Sequence, residues 1–114
     1  MLLVRRRDSD SLRWQFPAGI VKPGASADAV AVHETLAETG VHCTVRSQIG
    51  SRLHPVTGVY CVYFHCDYLT GDAENRDVIE NLSVTWAPIS NLTRFIPEDQ
   101  IYPPILEALG ATNV

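Results

Sequence analysis

The sequence predicts an α/β (α+β) fold in which a mixed sheet carries one central helix and one C-terminal helix. Two observations support this class. The segment between Ser26 and Gly40 has helix signals at both ends, whereas segments 43–53 and 59–69 are rich in residues that favour strands. The chain has 114 residues, 46% of them hydrophobic, which is enough to bury the core of a single domain, 1–114.

The N-terminal residues predict a hairpin. Residues 1–7, MLLVRRR, begin with an apolar run, and residues 12–16 offer a second short strand that ends before Pro17. Between the two strands lies DSDS, residues 8–11, whose composition is typical of a turn.

A loop and a helix follow this hairpin. Glycine and proline residues within 19–24 interrupt regular structure and therefore predict the loop. Ser26 suits the N-cap position, and the helix is expected to run from there to about Thr39. Gly40 suits the left-handed residue that follows many helices.

Three further strands and a loop are predicted in the second half of the chain. Residues 43–53 predict a strand, and residues 59–69 are the strongest strand segment of the chain. Residues 54–58 predict a turn between the two strands. Residues 82–89 alternate like a half-buried strand. The polar, acidic segment 70–81 predicts an exposed loop, in which we expect the side chains of Asp72, Glu74 and Asp77 to be solvated.

The C-terminal residues predict short helices. The two segments are 91–95 and 97–109. Pro103 and Pro104 force a break, or the first turn of a new helix, within the second segment.

Composition excludes several kinds of protein. The net charge of −4 makes nucleic acid an improbable main partner, because such proteins carry a basic surface. No apolar run is long enough to span a membrane, and no leader segment is recognisable. Three cysteines without CxxC spacing predict reduced thiols and a cytoplasmic protein. Zinc binding by Cys61, His65 and Cys66 is disfavoured, because the two cysteines point to opposite faces of a strand.

Two carboxylates interrupt the apolar face of the predicted helix. Glu34 and Glu38 lie one turn apart, so both project from the same side of the helix. Ala27, Val30 and Ala31 share that side within about 60° of Glu34 on a helical wheel. Unpaired carboxylates on such a surface are costly. The pattern therefore predicts that a cation or a polar cleft receives these two acids.

The loop, the helix and the paired acids together resemble the Nudix box, Gly-x5-Glu-x7-Arg-Glu-U-x-Glu-Glu-x-Gly-U, in which U is apolar. Aligned from Gly19, the matching positions are Gly19, Glu34, Glu38, Gly40 and Val41. The departures are Ala25 for Glu, His33 for Arg, Thr35 for an apolar residue and Ala37 for Glu. The flanking segments LLVRR and WQFPAG and the strand-borne Trp86 also resemble the MutT-type Nudix hydrolases.

This resemblance implies a Nudix-type α/β/α sandwich and a divalent-metal-dependent pyrophosphohydrolase of nucleoside diphosphate-linked substrates. Mg2+ or Mn2+ would be held by Glu34, Glu38 and the carbonyl of Ala18. Glu80 is the candidate third carboxylate or general base, and Glu34 is its rival for the base role. Hard divalent cations prefer oxygen ligands, and Mg2+ commonly uses one or two carboxylates together with substrate phosphates.

The departures from the box leave an alternative open. Ala37 removes a potential metal ligand, and His33 replaces an Arg that would orient the neighbouring acids through charge-assisted hydrogen bonds. The activity is then expected to be weakened. The alternative is a degenerate Nudix domain that binds a nucleotide or a protein partner without efficient hydrolysis.

Three basic residues are candidates for binding the nucleotide-type substrate. Arg5 and Arg6 alternate across a strand, so only one of them can face a cleft, and the resemblance selects Arg6. A solvated position at the strand edge is an equal alternative for Arg6. Arg52 and His54 precede a turn and could reach a phosphate, but a position on the loop surface is the favoured alternative for them.

The chain starts at LLVRR, where Nudix domains usually carry a preceding strand. We therefore expect either a start placed late or a sheet with an open edge. An open apolar edge favours pairing with another chain, which predicts a homodimer formed through the N-terminal strand.

Overall fold

The computed structural model describes residues 1–7 and 13–110. Within these residues, five strands and three α-helices follow one another, with a 3-10 turn before and after the second helix. In chain order they are β1 (Leu2–Arg6), β2 (Trp14–Gln15), α1 (Ala27–Thr39), β3 (His42–Leu53), β4 (Tyr60–Thr70), β5 (Asn81–Trp86), α2 (Leu92–Phe95) and α3 (Pro103–Ala108). The turn expected at 8–11 lies outside the described residues.

The N-terminal strand β1 is the middle strand of a three-stranded antiparallel sheet with the order β2-β1-β5. Val4 pairs with Gln15 on one side and with Val84 on the other. Because β1 has a neighbour on each side, it is not an open edge. The premise of the predicted homodimer is therefore wrong, and nothing else in the described residues supports that dimer.

Strands β3 and β4 form a second, two-stranded antiparallel sheet. The turn expected at 54–58 joins them: the His54 amide donates to the Val59 carbonyl, and His54 Nδ1 accepts from the Val56 amide. The α+β class is thus confirmed. In the described residues the strands form two antiparallel sheets, whereas the sequence predicted one mixed sheet.

The main core lies on the side of β1 that carries Leu3, a side chain with no exposed surface. It is completed by the C-terminal segment, whose buried members are Ala87, Leu92, Ile96, Ile101, Ile105 and Leu106. Helix α3 begins at Pro103, where a proline costs no hydrogen bond, so the predicted new first turn is confirmed. The C-terminal helices therefore pack on the face of the sheet opposite to the side chains of Val4 and Arg6.

Helix α1 has the predicted bounds and ends as predicted. Gly40 has φ 75°, in the left-handed region, and its amide donates to the Leu36 carbonyl. At the other end the hydroxyl of Ser26 makes no capping hydrogen bond, and Ser26 contributes only its carbonyl, which accepts from Val30.

The acidic segment after β4 is a loop, as predicted, and the side chains of Asp72 and Glu74 are exposed, whereas Asp77 is half-buried. The backbone of this loop is bonded to α1, which the sequence did not predict. The amides of Glu74 and Arg76 donate to the carbonyls of Thr39 and Glu38, at 2.9 and 3.0 Å. These carbonyls belong to the last turn of α1, where helix acceptors lack partners within the helix. The segment therefore fixes the end of α1 that carries Glu38.

No helix within residues 1–7 and 13–110 is long and apolar enough to cross a membrane.

Candidate active site

Glu38 is a buried carboxylate in the last turn of α1, with 5% of its surface exposed. The amide of Ala18 donates to Glu38 Oε2 at 3.3 Å. Burial raises the pKa of Glu38 to about 7, and the negative charges of Glu34 and Asp77 act in the same direction. The Ala18 hydrogen bond and the charge of Arg6 lower this pKa, but they do not offset the burial.

Glu34 packs directly against Gly19. A Cβ atom placed on Gly19 would lie 2.1 Å from Cγ of Glu34 and 2.6 Å from its Cδ, which is far too close for any side chain. The absence of a side chain at Gly19 therefore allows the loop to approach α1. As a result, two successive loop residues, Ala18 and Gly19, contact the two acids of the helix.

Arg6 and Glu80 form an ion pair next to Glu38. Arg6 Nη2 lies 3.3 Å from Glu80 Oε2, and the two side chains are 25% and 49% exposed. The preceding residue, Arg5, lies over the ring of Trp14 at 6.0 Å from the ring centre. The two arginines thus occupy different environments, as their alternation along the strand predicts.

Asp77 was not recognised from the sequence as a site residue. Its Oδ1 accepts from the Glu80 amide at 3.3 Å, and its carbonyl accepts from the Asn81 amide at 2.8 Å. Its charge also raises the pKa of Glu38. The spacing Asp77-x-x-Glu80 is typical of a side chain that caps a turn, and it was the signal available in the sequence.

Asn81 is a second unrecognised residue. It pairs with Arg6 across the strands and is completely buried. Its side-chain atoms Oδ1 and Nδ2 have no hydrogen-bond partner among the described residues. A buried amide without a partner costs about 1–3 kcal/mol. Such groups in folded proteins call for an explanation.

Arg52 and His54 are held by other contacts. Arg52 Nη2 donates to the Gln100 carbonyl at 2.6 Å, and its guanidinium lies 5.4 Å from the ring centre of Tyr102. Burial, followed by the charge of Arg52, lowers the pKa of His54. None of the recorded contacts of these two residues, within the described part of the chain, is with Glu34, Glu38 or Glu80.

The donor set around Glu38 suits a hard divalent cation, since it consists of carboxylate oxygens with an excess of negative charge. Within the described residues, however, no group of three His, Cys, Asp or Glu side chains is arranged to hold a metal ion. Mg2+ does not require such a group when substrate phosphates supply the remaining oxygens. Glu34 and Glu38 are the residues that would hold it.

The comparison with protein families decides the relationship. A model described as the NUDIX domain matches residues 1–109. The chain belongs to the Nudix family. Its α+β fold is that of solved Nudix hydrolases.

Individual relatives agree with this assignment. A putative 8-oxo-dGTP diphosphatase of Bacillus subtilis (strain 168) is 32% identical over 97 residues, which are 84% of this chain and 62% of that protein. A Caenorhabditis elegans Ap4A hydrolase has a TM-score of 0.76 at 14% identity, covering 98% of this chain and 86% of the other. An ADP-ribose pyrophosphatase of Streptococcus suis 89-1591 has a TM-score of 0.70 at 21% identity, covering 95% and 81%.

The chain spans only part of its curated relatives: 62% of the Bacillus subtilis protein, and 25% and 24% of two others.

Three of the four residues that depart from the Nudix box lie at the surface, and the fourth, Thr35, is half-buried. Ala25, His33 and Ala37 are all exposed. His33 lines an open groove of about 540 Å3 between α1 and β3, together with Val32, Leu36 and Val45 among others. Val32 and Leu36 project about 160° away from Glu34 around the helix. This groove is therefore separate from the acids.

Proposed function

We propose that this Nudix domain is a divalent-metal-dependent pyrophosphohydrolase of nucleoside diphosphate-linked substrates. The observation that carries the proposal is the environment of Glu38. This carboxylate is buried, it lies close to two further acids, and burial raises its pKa to about 7. A bound cation would compensate for both the burial and the repulsion.

Each residue of the site has a proposed role. Glu34 and Glu38 hold Mg2+ or Mn2+, with the Ala18 carbonyl as a further ligand. When bound, the ion supplies a Lewis acid and makes a coordinated water more acidic. Arg6 binds a substrate phosphate through its guanidinium, which suits phosphate oxygens.

Glu80 is proposed as the general base that accepts the proton of the attacking water, and Glu34 is its rival. Glu80 is paired with Arg6. A phosphate bound to Arg6 competes with this pair and leaves Glu80 available for water. Asp77 fixes the position of Glu80 by accepting a hydrogen bond from its backbone amide.

The substrate is proposed to be a small nucleotide. The named activities of the relatives are 8-oxo-dGTP diphosphatase, ADP-ribose pyrophosphatase and Ap4A hydrolase, each of which concerns a nucleotide. Arg52 and His54 remain secondary candidates for substrate binding, because their present contacts are with other parts of the fold. A cytoplasmic location is also proposed, in keeping with three free cysteines.

A substrate screen tests the proposal. Nucleoside triphosphates, nucleotide sugars and dinucleoside polyphosphates would be incubated with the protein and Mg2+ or Mn2+, and the released products measured. We expect cleavage of at least one substrate and its loss in Glu38→Gln, with an unchanged circular dichroism spectrum. Glu107→Gln, at an exposed glutamate of α3, is the matched control and should retain the full rate. Cleavage that persists in Glu38→Gln contradicts the proposed role.

The alternative is a degenerate Nudix domain that binds a nucleotide or protein without efficient hydrolysis. Two observations favour it: the substitutions Ala25, His33 and Ala37, and the lack of a three-ligand metal group among the described residues. Ala37→Glu distinguishes the two. Position 37 is exposed, so a larger side chain fits there without disturbing the core. If the wild-type protein hydrolyses no substrate and the Ala37→Glu variant does, the natural protein is the degenerate domain.

A further inference from the structure

The two described loops that adjoin the candidate active site carry large apolar side chains that are exposed. In the loop before α1, Ile20 is 85% exposed and Val21 is 46% exposed. In the loop before β5, Val78 is 63% exposed and Ile79 is 80% exposed. We call these four side chains the apolar rim.

Both halves of the apolar rim adjoin the acids of the candidate active site. Ile20 follows Gly19, whose backbone touches Glu34. Ile79 precedes Glu80, which is paired with Arg6. The rim is therefore attached to both chain segments that surround the carboxylates.

The backbone near the rim is held by specific hydrogen bonds. Arg7 Nε donates to the Val78 carbonyl at 3.2 Å, and the amides of Glu80 and Asn81 bond to Asp77. On the other side, the Ala18 amide bonds to Glu38. The exposed side chains are thus presented by anchored backbone. Each loop exposes two neighbouring large apolar side chains, and exposed apolar patches beside polar residues commonly mark a binding site.

The neighbourhood of the rim restricts what can bind there. Glu38 is bonded to Ala18 of the first loop and lies close to Asp77 of the second, so an acid that suits a metal-bound phosphate adjoins both loops. Isoleucine and valine, in contrast, give a phosphate nothing to bond with. A ligand that satisfies both surfaces has an anionic end and an end with apolar surface. A nucleotide has these two ends in one molecule.

We infer that the apolar rim contacts the nucleobase of the nucleotide whose phosphates lie at Glu34 and Glu38. The inference rests on the proposed function and adds to it the part of the protein that distinguishes a nucleotide from a bare polyphosphate. Aliphatic side chains pack on the flat face of a base and remove apolar area from water. Ile20 and Ile79, as the largest and most exposed members, are the specificity-determining residues.

The test compares binding of dGTP, ADP-ribose and inorganic triphosphate by calorimetry, with Ca2+ in place of Mg2+ to suppress cleavage. The variants are the double substitution Ile20→Ser with Ile79→Ser and the control Leu69→Ser, at a 58% exposed leucine of β4. We expect the double variant to bind at least one of the two nucleotides about tenfold more weakly, in line with the apolar area that two isoleucines bury. Affinity for triphosphate should not change, nor should any affinity in the control. Ile79→Leu should retain nucleotide affinity.

The outcomes separate this inference from the proposed function. If the double variant binds nucleotides with unchanged affinity, the inference that the apolar rim contacts the nucleobase is wrong. The same holds if the affinities for nucleotide and for triphosphate fall equally. Wild-type protein that does not bind triphosphate in the presence of Ca2+ contradicts the proposed phosphate site instead. If, in addition, the wild type binds neither dGTP nor ADP-ribose, the inference about the apolar rim and the proposed function are both overturned. Because all substituted side chains are exposed, thermal unfolding curves should coincide, which serves as the folding control.

Discussion

The amide of Ala18 and the carboxylate of Glu38 are joined by a hydrogen bond of 3.3 Å, although the two residues are 20 positions apart in the chain. This bond connects the loop before α1 to the last turn of that helix. The resemblance to Nudix hydrolases implies a metal-binding role for the Ala18 carbonyl, and the structure adds a hydrogen bond from its amide to Glu38. The loop and the buried acid are consequently expected to respond together to protonation or to a cation.

The first prediction concerns pH and stability. The pKa of Glu38 is raised to about 7 in the folded protein from 4.5, so between these values the folded state binds more protons than the unfolded state. Stability should therefore fall as pH rises from about 4.5 to about 7, and level off above that. A pKa shift of this size changes the free energy of unfolding by at most about 3 kcal/mol over the interval.

Urea denaturation of metal-free protein at several pH values measures this effect, with Glu38→Gln as the comparison. The variant should lose less stability over the same interval. Parallel pH profiles for the two proteins would show that Glu38 does not titrate in this range.

The second prediction concerns the contact between Gly19 and Glu34. In Gly19→Ala the new methyl group would overlap Glu34, which must then leave its present position. We expect a loss of activity of at least about tenfold, because an ångström-scale displacement of a catalytic group has effects of this order. Rates and thermal melts of Gly19→Ala measure the two consequences separately.

A double-mutant cycle checks the cause. Adding Gly19→Ala to Glu34→Ala should cost little further stability, since the overlapping side chain has been removed. If the destabilisation by Gly19→Ala is the same in both backgrounds, the contact with Glu34 is not responsible for it.

The third prediction concerns the ion pair between Arg6 and Glu80. Both side chains are partly exposed, so a cycle of alanine substitutions should give a coupling energy below about 1 kcal/mol in unfolding experiments. Activity should nevertheless fall by about a hundredfold or more in Arg6→Ala, because a phosphate-binding charge is lost.

The exposed pair of Glu74 and Arg76 provides the matched control for stability. Its coupling energy should be similarly small. A coupling of several kcal/mol for Arg6 and Glu80 would assign this pair to the folding of the domain and not to its reaction.

The fourth prediction concerns Asn81. Its side chain is completely buried without a hydrogen-bond partner among the described residues, so Asn81→Leu removes an unfavourable polar group at similar volume. We expect the melting temperature to stay constant or to rise by a few degrees. A strongly lowered melting temperature would indicate that a buried water satisfies the amide in the native protein.

The sequence predicted those parts of the fold that depend on local signals. Gly40 ends α1 because a left-handed residue is required there, and Pro103 starts α3 because its missing amide is harmless at a helix start. The paired acids of α1 were also recognisable, since helical spacing alone puts Glu34 and Glu38 on one side.

Features that depend on distant contacts were not predicted. The two neighbours of β1 come from residues 14–15 and 81–86, and the register that joins them is not encoded locally. Asp77 looked like a solvated acid because its neighbours are polar, and its approach to Glu38 follows from backbone bonds of Glu74 and Arg76 to α1. The contact of Arg52 with Tyr102 was not predictable either, since Tyr102 lies far from Arg52 along the chain.

The bonds from Glu74 and Arg76 to the end of α1 also limit how this protein can change during evolution. Segment 74–81 is bonded to the last turn of α1 at Glu74 and Arg76, and it enters β5 at Asn81. Asp77 and Glu80 lie between these two ends. An insertion there would move these two acids relative to Glu38, whereas changes of side chain at Val78 or Ile79 would not. Length should therefore be constrained in this segment while its apolar side chains remain free to vary with the ligand.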